Sequence, residues 1–153
     1  MAIEAPISKY KKNNLVIYII LCIVVAGWFA YDGYINKDFI EEHTNEDGTP
    51  NSTLVFNQKS PPFFILAAVL FAVYLYFVKD KKLIADENEL IFSEKEKISY
   101  DSIQKIDKTH FDKKGFFVIT YKDEHGKEID KKISDRQYDN LPAVLDHLVA
   151  KIT

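Results

Sequence analysis

The sequence predicts an α-hairpin of two transmembrane helices plus a small α+β domain, in which an antiparallel sheet or barrel is capped by a C-terminal helix. Three observations favour this fold class. Uncharged apolar runs extend over residues 15–31 and 61–78, close to the length that crosses a hydrocarbon core. From residue 82 onward the pattern changes to short apolar alternations, which are typical of strands. The chain ends on an amphipathic helical stripe.

The residue pattern divides the chain into five segments. We predict an N-terminal segment over residues 1–14, a first transmembrane helix over 15–33 and a loop over 34–60. A second transmembrane helix follows over 61–78, and the α+β domain occupies 82–153. Two interpretations of the first run stay open, a retained anchor and a cleaved signal peptide. Val24-Val25-Ala26 would serve as a cleavage site, although the run is long for a signal peptide.

The distribution of lysine predicts the orientation of the hairpin. Three lysines precede the first run, three follow the second, and only two lie in the loop: Lys9, Lys11 and Lys12; Lys79, Lys81 and Lys82; Lys37 and Lys59. Because cytoplasmic flanks carry the excess of basic residues, we expect both termini in the cytoplasm and the loop outside. A single arginine among 20 basic residues indicates a bacterial protein, and hence the inner membrane. We expect Lys79, Lys81 and Lys82 to contact lipid headgroups.

Small residues predict where the two helices approach each other. Alanines recur four residues apart in both runs: Ala26 and Ala30, and Ala68 and Ala72. Such spacing permits close contact between helix backbones. Apart from Cys22 and tyrosines, the runs contain no ionisable side chain, so the bilayer segments encode no ion path or proton relay.

We predict short secondary-structure elements in the loop and in the domain. Residues 34–43 fit a short interfacial helix, and residues 45–51 are turn formers. Strands are predicted over 82–85, 89–93, 97–100, 103–107, 116–122 and 127–134, with 116–122 central because both of its faces are apolar. A helix follows, with Asn140 as N-cap and one apolar stripe: Leu141, Val144, Leu145, Leu148 and Ile152.

Residues 98–106 read Ile-Ser-Tyr-Asp-Ser-Ile-Gln-Lys-Ile and lie amid these strands. With the C-terminal helix, this arrangement resembles the bacterial pleckstrin-homology-like (PH-like) domains that follow paired membrane helices. The resemblance implies a bent sheet or barrel whose open end the helix covers. Phosphoinositide-binding members carry basic residues in the first strand-turn-strand, whereas residues 86–89 here read Asp-Glu-Asn-Glu. Headgroup recognition of that kind is therefore not implied.

Composition and motifs exclude several functions. Twenty basic and 23 acidic residues give a net charge of -3, so no overall basic field exists to gather nucleic acid. One cysteine allows neither a disulfide framework nor a thiolate cluster. The four histidines are far apart and no phosphate-binding or nucleophile motif occurs, so we predict no enzyme and no catalytic, cofactor-binding or metal-binding residue.

Two functional classes remain open for such a chain. The first is a non-enzymatic membrane-tethered module that binds or scaffolds a protein partner, along an open sheet edge or the groove beside the C-terminal helix. The second is an accessory or structural subunit of a larger membrane complex, and a lipid-headgroup-binding module is a further alternative. The expected partners are membrane lipids and a protein or membrane complex. No cofactor and no nucleic acid are expected.

Overall fold

The computed structural model describes residues 2–152 and divides into two units, one of residues 13–76 and one that combines the two ends of the chain. Two helical stretches are long and apolar enough to cross a membrane, Lys9–Tyr34 and Ser52–Val78, and the second is interrupted at Ser60. Only 11% of the most apolar part of each is buried within the protein, whereas a core helix of a soluble protein would be mostly buried.

Local signals set the bounds of the helices. Helix α1 covers Lys9–Tyr34, which is six residues longer at its start than the sequence predicts. Ser8 precedes it and its hydroxyl oxygen accepts from the Lys11 N–H at 3.1 Å, which is the bond of an N-cap. The loop holds the predicted short helix as α2 (Lys37–Glu42), and a helix that the sequence did not predict, α3 (Ser52–Lys59). Helix α4 (Pro61–Val78) begins with the two prolines, whose missing N–H groups cost nothing in a first turn.

The unit of residues 13–76 is held by polar and aromatic contacts near its loop. The Gln58 amide donates to the carbonyl of Gly33 at 3.0 Å, and the Tyr34 hydroxyl donates to the carbonyl of Gln58 at 2.8 Å. A Cβ at Gly33 would lie 3.0 Å from the backbone carbon of Asn57, so any larger residue would press on the backbone of α3 where α1 approaches it. The ring of Phe29 packs against Phe56 at 5.4 Å between centroids.

The second unit is a domain assembled from both ends of the chain, residues 1–12 and 77–153. Strand β1 (Ile3–Pro6) precedes the first long helix, and β2 (Lys82–Ala85) follows the second. The two pair in antiparallel register from Ile3 opposite Ala85 to Pro6 opposite Lys82. The predicted boundary at residue 82 therefore omits a strand, and the N-terminal segment is part of the domain. Four residues of mixed character carry no strand pattern, so only the pairing with β2 reveals β1.

The remaining strands follow the prediction to within one residue. They are β3 (Glu89–Ser93), β4 (Glu96–Ser99), β5 (Ile103–Asp107), β6 (Phe116–Lys122) and β7 (Glu128–Ser134). Their order is β1-β2-β3-β4 in one sheet and β5-β6-β7 in the other, all antiparallel, with a 3-10 turn between β4 and β5. Strand β6 is central in its sheet, as predicted. The described strands form two sheets and no closed barrel.

Helix α6 (Leu141–Ile152) covers the core between the sheets. Four positions of its predicted stripe are buried and Ile152 is partly buried: Leu141, Val144, Leu145 and Leu148. They pack with Leu83, Leu90, Phe117 and other buried residues in one hydrophobic cluster. Asn140, predicted as the N-cap, adopts a φ of 61° and its side-chain amide instead donates to the carbonyl of Glu4 at 3.1 Å. Asn140 thus joins α6 to β1.

Candidate functional site

A groove beside α6 is the candidate site for a binding partner. It encloses about 630 Å³ between the chain that follows β5 and the first two turns of α6. Its apolar surface comes from Phe111, Pro142 and Leu145, and its rim carries Lys108, Asp112 and Asp146. The groove therefore offers both apolar and polar contacts to a partner.

Short-range interactions shape the wall of this groove. Strand β5 ends at Asp107, whose carboxylate accepts the Thr109 N–H at 3.0 Å. Hydrogen bonds from the Thr109 hydroxyl and N–H hold the pKa of the Asp107 carboxyl below its usual range. The short helix α5 (Phe111–Lys114) follows and ends at Gly115, in the left-handed conformation with φ of 66°. The Phe111 ring packs edge-on against Phe117 of the core at 5.8 Å, which fixes its place in the groove.

Strand β5, which leads into the wall of the groove, has an open edge. Among the described residues it pairs with one neighbour, β6. Gln104 and Lys105 are exposed in its middle. An edge strand offers unpaired backbone N–H and C=O groups to an additional strand, so the groove and the edge together could receive an extended segment.

The acidic turn between β2 and β3 has a structural role. The Tyr100 hydroxyl donates to the carbonyl of Asp86 at 2.8 Å, and the ring Nε2 of His147 lies 2.9 Å from the same oxygen. Burial, and then the charges of Asp86 and Glu89, raise the pKa of Tyr100 to about 12. The turn is therefore tied to α6 through His147 and to the 3-10 turn through Tyr100.

The three lysines predicted to contact headgroups have different surroundings. Lys82 forms an ion pair with Glu4 of β1 at 2.5 Å, and Lys79 lies 3.9 Å from Asp80. Lys81 is exposed, and its carbonyl accepts from the Ile7 N–H at 3.0 Å. Headgroup contact by these lysines stays a prediction.

The four alanines predicted to mediate helix packing also differ. Ala26 and Ala68 are 3% and 5% exposed, Ala30 is half-buried and Ala72 is exposed. Packing through these alanines stays a prediction, in which the burial favours Ala26 and Ala68 over Ala72. Gly33, which sequence reasoning did not select, makes the closest backbone approach that the glycines show in this unit.

Between residues 2 and 152, the structure contains no group of three or more His, Cys, Asp or Glu side chains that could hold a metal ion. No family model matches the chain, and comparison with curated proteins and with solved structures gave no significant match. Fold and site together define a chain with two candidate membrane-spanning helices and a small two-sheet domain with a C-terminal helix.

Proposed function

We propose that this chain is a two-span membrane protein whose PH-like domain is non-enzymatic and binds an extended segment of a protein partner at the membrane. The proposal rests on two observations: β5 has an open edge, and the chain that follows β5 lines a groove against α6. Adding a strand to such an edge uses backbone hydrogen bonds for affinity and a side-chain pocket for specificity.

The pairing of β1 with β2 supports a topology with both termini on one side. One strand precedes the first candidate span and the other follows the second. The two strands can pair only if both lie on the same side of a bilayer, because they could not meet within the lipid, where a sheet edge is not tolerated. Together with the lysine distribution, this favours the cytoplasmic side of a bacterial inner membrane for the domain.

The order of elements supports the PH-like assignment. An antiparallel sheet of four consecutive strands is followed by one of three, and then by the helix that covers their core. In this proposal the hairpin is an insertion between the first and second strands of a PH-like domain.

The groove favours a particular kind of segment. Five residues of β5 extend over about 16 Å, which suits a short extended peptide. Phe111, Pro142 and Leu145 would contact an apolar side chain of that peptide, while Asp112 and Asp146 outnumber Lys108 at the rim. We therefore expect an apolar residue with a basic neighbour.

Site-specific photo-crosslinking in native membranes tests the proposal. A photoreactive amino acid at Gln104 would lie on the edge strand β5 and one at Asp146 on the rim of the groove, and Glu94 and Glu128 provide exposed control positions elsewhere in the domain. We expect the same protein adduct from Gln104 and Asp146, and none from the controls. Weakening of that adduct by Asp112→Lys would support the predicted basic neighbour.

Two results would contradict the peptide-binding proposal. The first is the absence of any adduct at the groove, and the second is equal adducts at groove and control positions. The same amino acid can also be placed on α1 and α4. Adducts from these helices alone, at fixed stoichiometry, would favour the accessory-subunit alternative.

A further inference from the structure

A second cleft gathers basic residues from three parts of the domain. It encloses about 630 Å³ where α5, the end of β7 and the turn after β7 meet. Its cationic side chains are Lys113, Lys114, Lys132 and Arg136, and its carboxylates are Asp112 and Asp135. In sequence these residues are dispersed among acidic neighbours, so composition gave no sign of a common site.

The backbone around this cleft is held by defined contacts. The Asp135 N–H donates to the carbonyl of Gly115 at 2.8 Å, which joins the turn after β7 to the end of α5. A Cβ at Gly115 would overlap the Asp135 carboxylate, so glycine leaves room for this side chain. The Ser8 hydroxyl donates to the carbonyl of Arg136 at 2.6 Å. Three separate segments of chain are thereby fixed around one opening.

Aromatic rings position two of the cations. The Lys132 ammonium lies 3.9 Å from the centre of the Phe116 ring, and the Arg136 guanidinium lies 5.8 Å from the centre of the Tyr10 ring. Both distances are within the range of a cation–π interaction. These contacts orient the side chains and leave their positive charges without neutralisation.

The cleft has an excess of positive charge. None of its four basic side chains forms an ion pair with a carboxylate in the described residues. Four cations against two carboxylates leave a net charge of +2, which is equal and opposite to the charge of a fully ionised phosphomonoester. Arginine is suited to bidentate contact with phosphate, and lysine supplies point charges.

We propose that this cleft binds the phosphate of a phosphomonoester, with Lys132 and Arg136 as its principal contacts. The inference goes beyond the proposed function, because the peptide groove takes no part in it. The phosphate could belong to a lipid headgroup or to a soluble metabolite. Tyr10, whose ring contacts Arg136, is in the first turn of α1, five residues before the apolar run begins at Leu15. Because this run is a candidate membrane span, the test includes lipid as a source of the phosphate.

The test uses the full chain in phosphatidylcholine nanodiscs, with amide NMR shifts of Gly115 and Arg136 as the measurement. Glycerol 3-phosphate is the soluble probe. In the lipid arm, about 10% of the phosphatidylcholine is replaced by phosphatidic acid. A separate sample contains the same share of phosphatidylglycerol, an anionic diester. We expect saturable shifts with glycerol 3-phosphate, with phosphatidic acid, or with both, and the responding arm identifies the source.

Variants of equal charge separate a specific site from general attraction. The double variant K132Q/R136Q removes both principal contacts, and K122Q/K127Q removes the same charge from exposed positions near the β6–β7 turn. We expect the first to weaken binding about tenfold or more, since hydrogen bonds to charged groups are the strong ones, and the second to change it less than about twofold.

Three outcomes would overturn the proposal. They are equal weakening by the two double variants, phosphatidylglycerol acting as well as phosphatidic acid with no response to the soluble probe, and no saturable shift in either arm. Amide shifts outside the cleft report whether each variant keeps the fold, so lost binding in an unfolded variant is recognised.

Discussion

Replacing Ala5 with aspartate tests whether the N-terminal strand belongs to the core of the domain. Ala5 has no exposed surface and lies opposite Leu83 in the β1–β2 pair. It belongs to the same hydrophobic cluster as the buried face of α6. If the domain were confined to residues after the second long helix, a substitution at this position would leave it unchanged.

The structure allows the cost of this substitution to be estimated. Position 5 has no exposed surface and belongs to the hydrophobic cluster, so an aspartate there would either carry its charge into the core or take up a proton. Even the neutral carboxyl leaves polar atoms without partners, at about 1–3 kcal/mol, and the added volume costs about 1–3 kcal/mol more. A domain of this size has a total stability of about 5–10 kcal/mol. We therefore expect β1 to detach and the sheet to be strongly destabilised.

Hydrogen–deuterium exchange of the full chain in detergent measures this effect. A loss of about 3 kcal/mol raises the exchange rate of the β2 amides about a hundredfold. Glu4→Gln is the matched control on the same strand, since it removes only the exposed ion pair with Lys82, worth about 0–1 kcal/mol. Unchanged protection of β2 and β3 in Ala5→Asp would refute the inclusion of β1 in the core.

Three further predictions follow from glycine packing, core burial and a raised pKa, and the first two have matched control variants. Gly33→Ala should lower the melting temperature in detergent, because its Cβ would press on the backbone of Asn57. The control Gly27→Ala has open space around its Cβ and should leave the melting temperature unchanged. Equal melting temperatures of the two variants would contradict this prediction. Leu148→Ala should lower the free energy of chemical unfolding by about 2–5 kcal/mol, because Leu148 is fully buried. Lys151→Ala, at an exposed position of the same helix, should lower it by less than about 0.5 kcal/mol. Similar losses in the two variants would argue against α6 covering the core. The raised pKa of Tyr100, about 12 against an ordinary 10.0, means that the folded chain keeps a proton that the unfolded chain loses, so stability should fall between these pH values. Tyr100→Phe should flatten that fall by at most about 1.4 kcal/mol per pH unit, and an identical pH profile would contradict it.

The peptide groove and the basic cleft share α5 but differ in chemistry. Asp112 lies at the rim of both, so a substitution there affects two proposed sites. Variants at Lys132 and Arg136 act on the cleft alone, and a crosslinker at Asp146 acts on the groove alone. The two proposals can therefore fail separately.

The sequence by itself determined the elements that have a local signature. Two uncharged runs predict the long helices because hydropathy is a property of consecutive residues. Alternation over residues 116–122 predicts β6, and the 3.6-residue stripe from Leu141 to Leu148 predicts the buried face of α6, for the same reason. The bond from the Lys11 N–H to the Ser8 hydroxyl is equally local, but the start of α1 at Lys9 was not predicted, because hydropathy marks only the apolar part of the helix.

Only the tertiary structure decided which distant segments meet. Strand β1 has no recognisable pattern in four residues and exists through its pairing with residues about 80 positions away. The open edge of β5, the groove beside α6 and the union of Lys113 and Lys114 with Lys132 and Arg136 likewise depend on strand order and on how the helices cover the sheets. Periodicity shows which face of a helix or strand is apolar. Which element packs against that face depends on contacts between residues far apart in sequence, and no local pattern specifies these contacts.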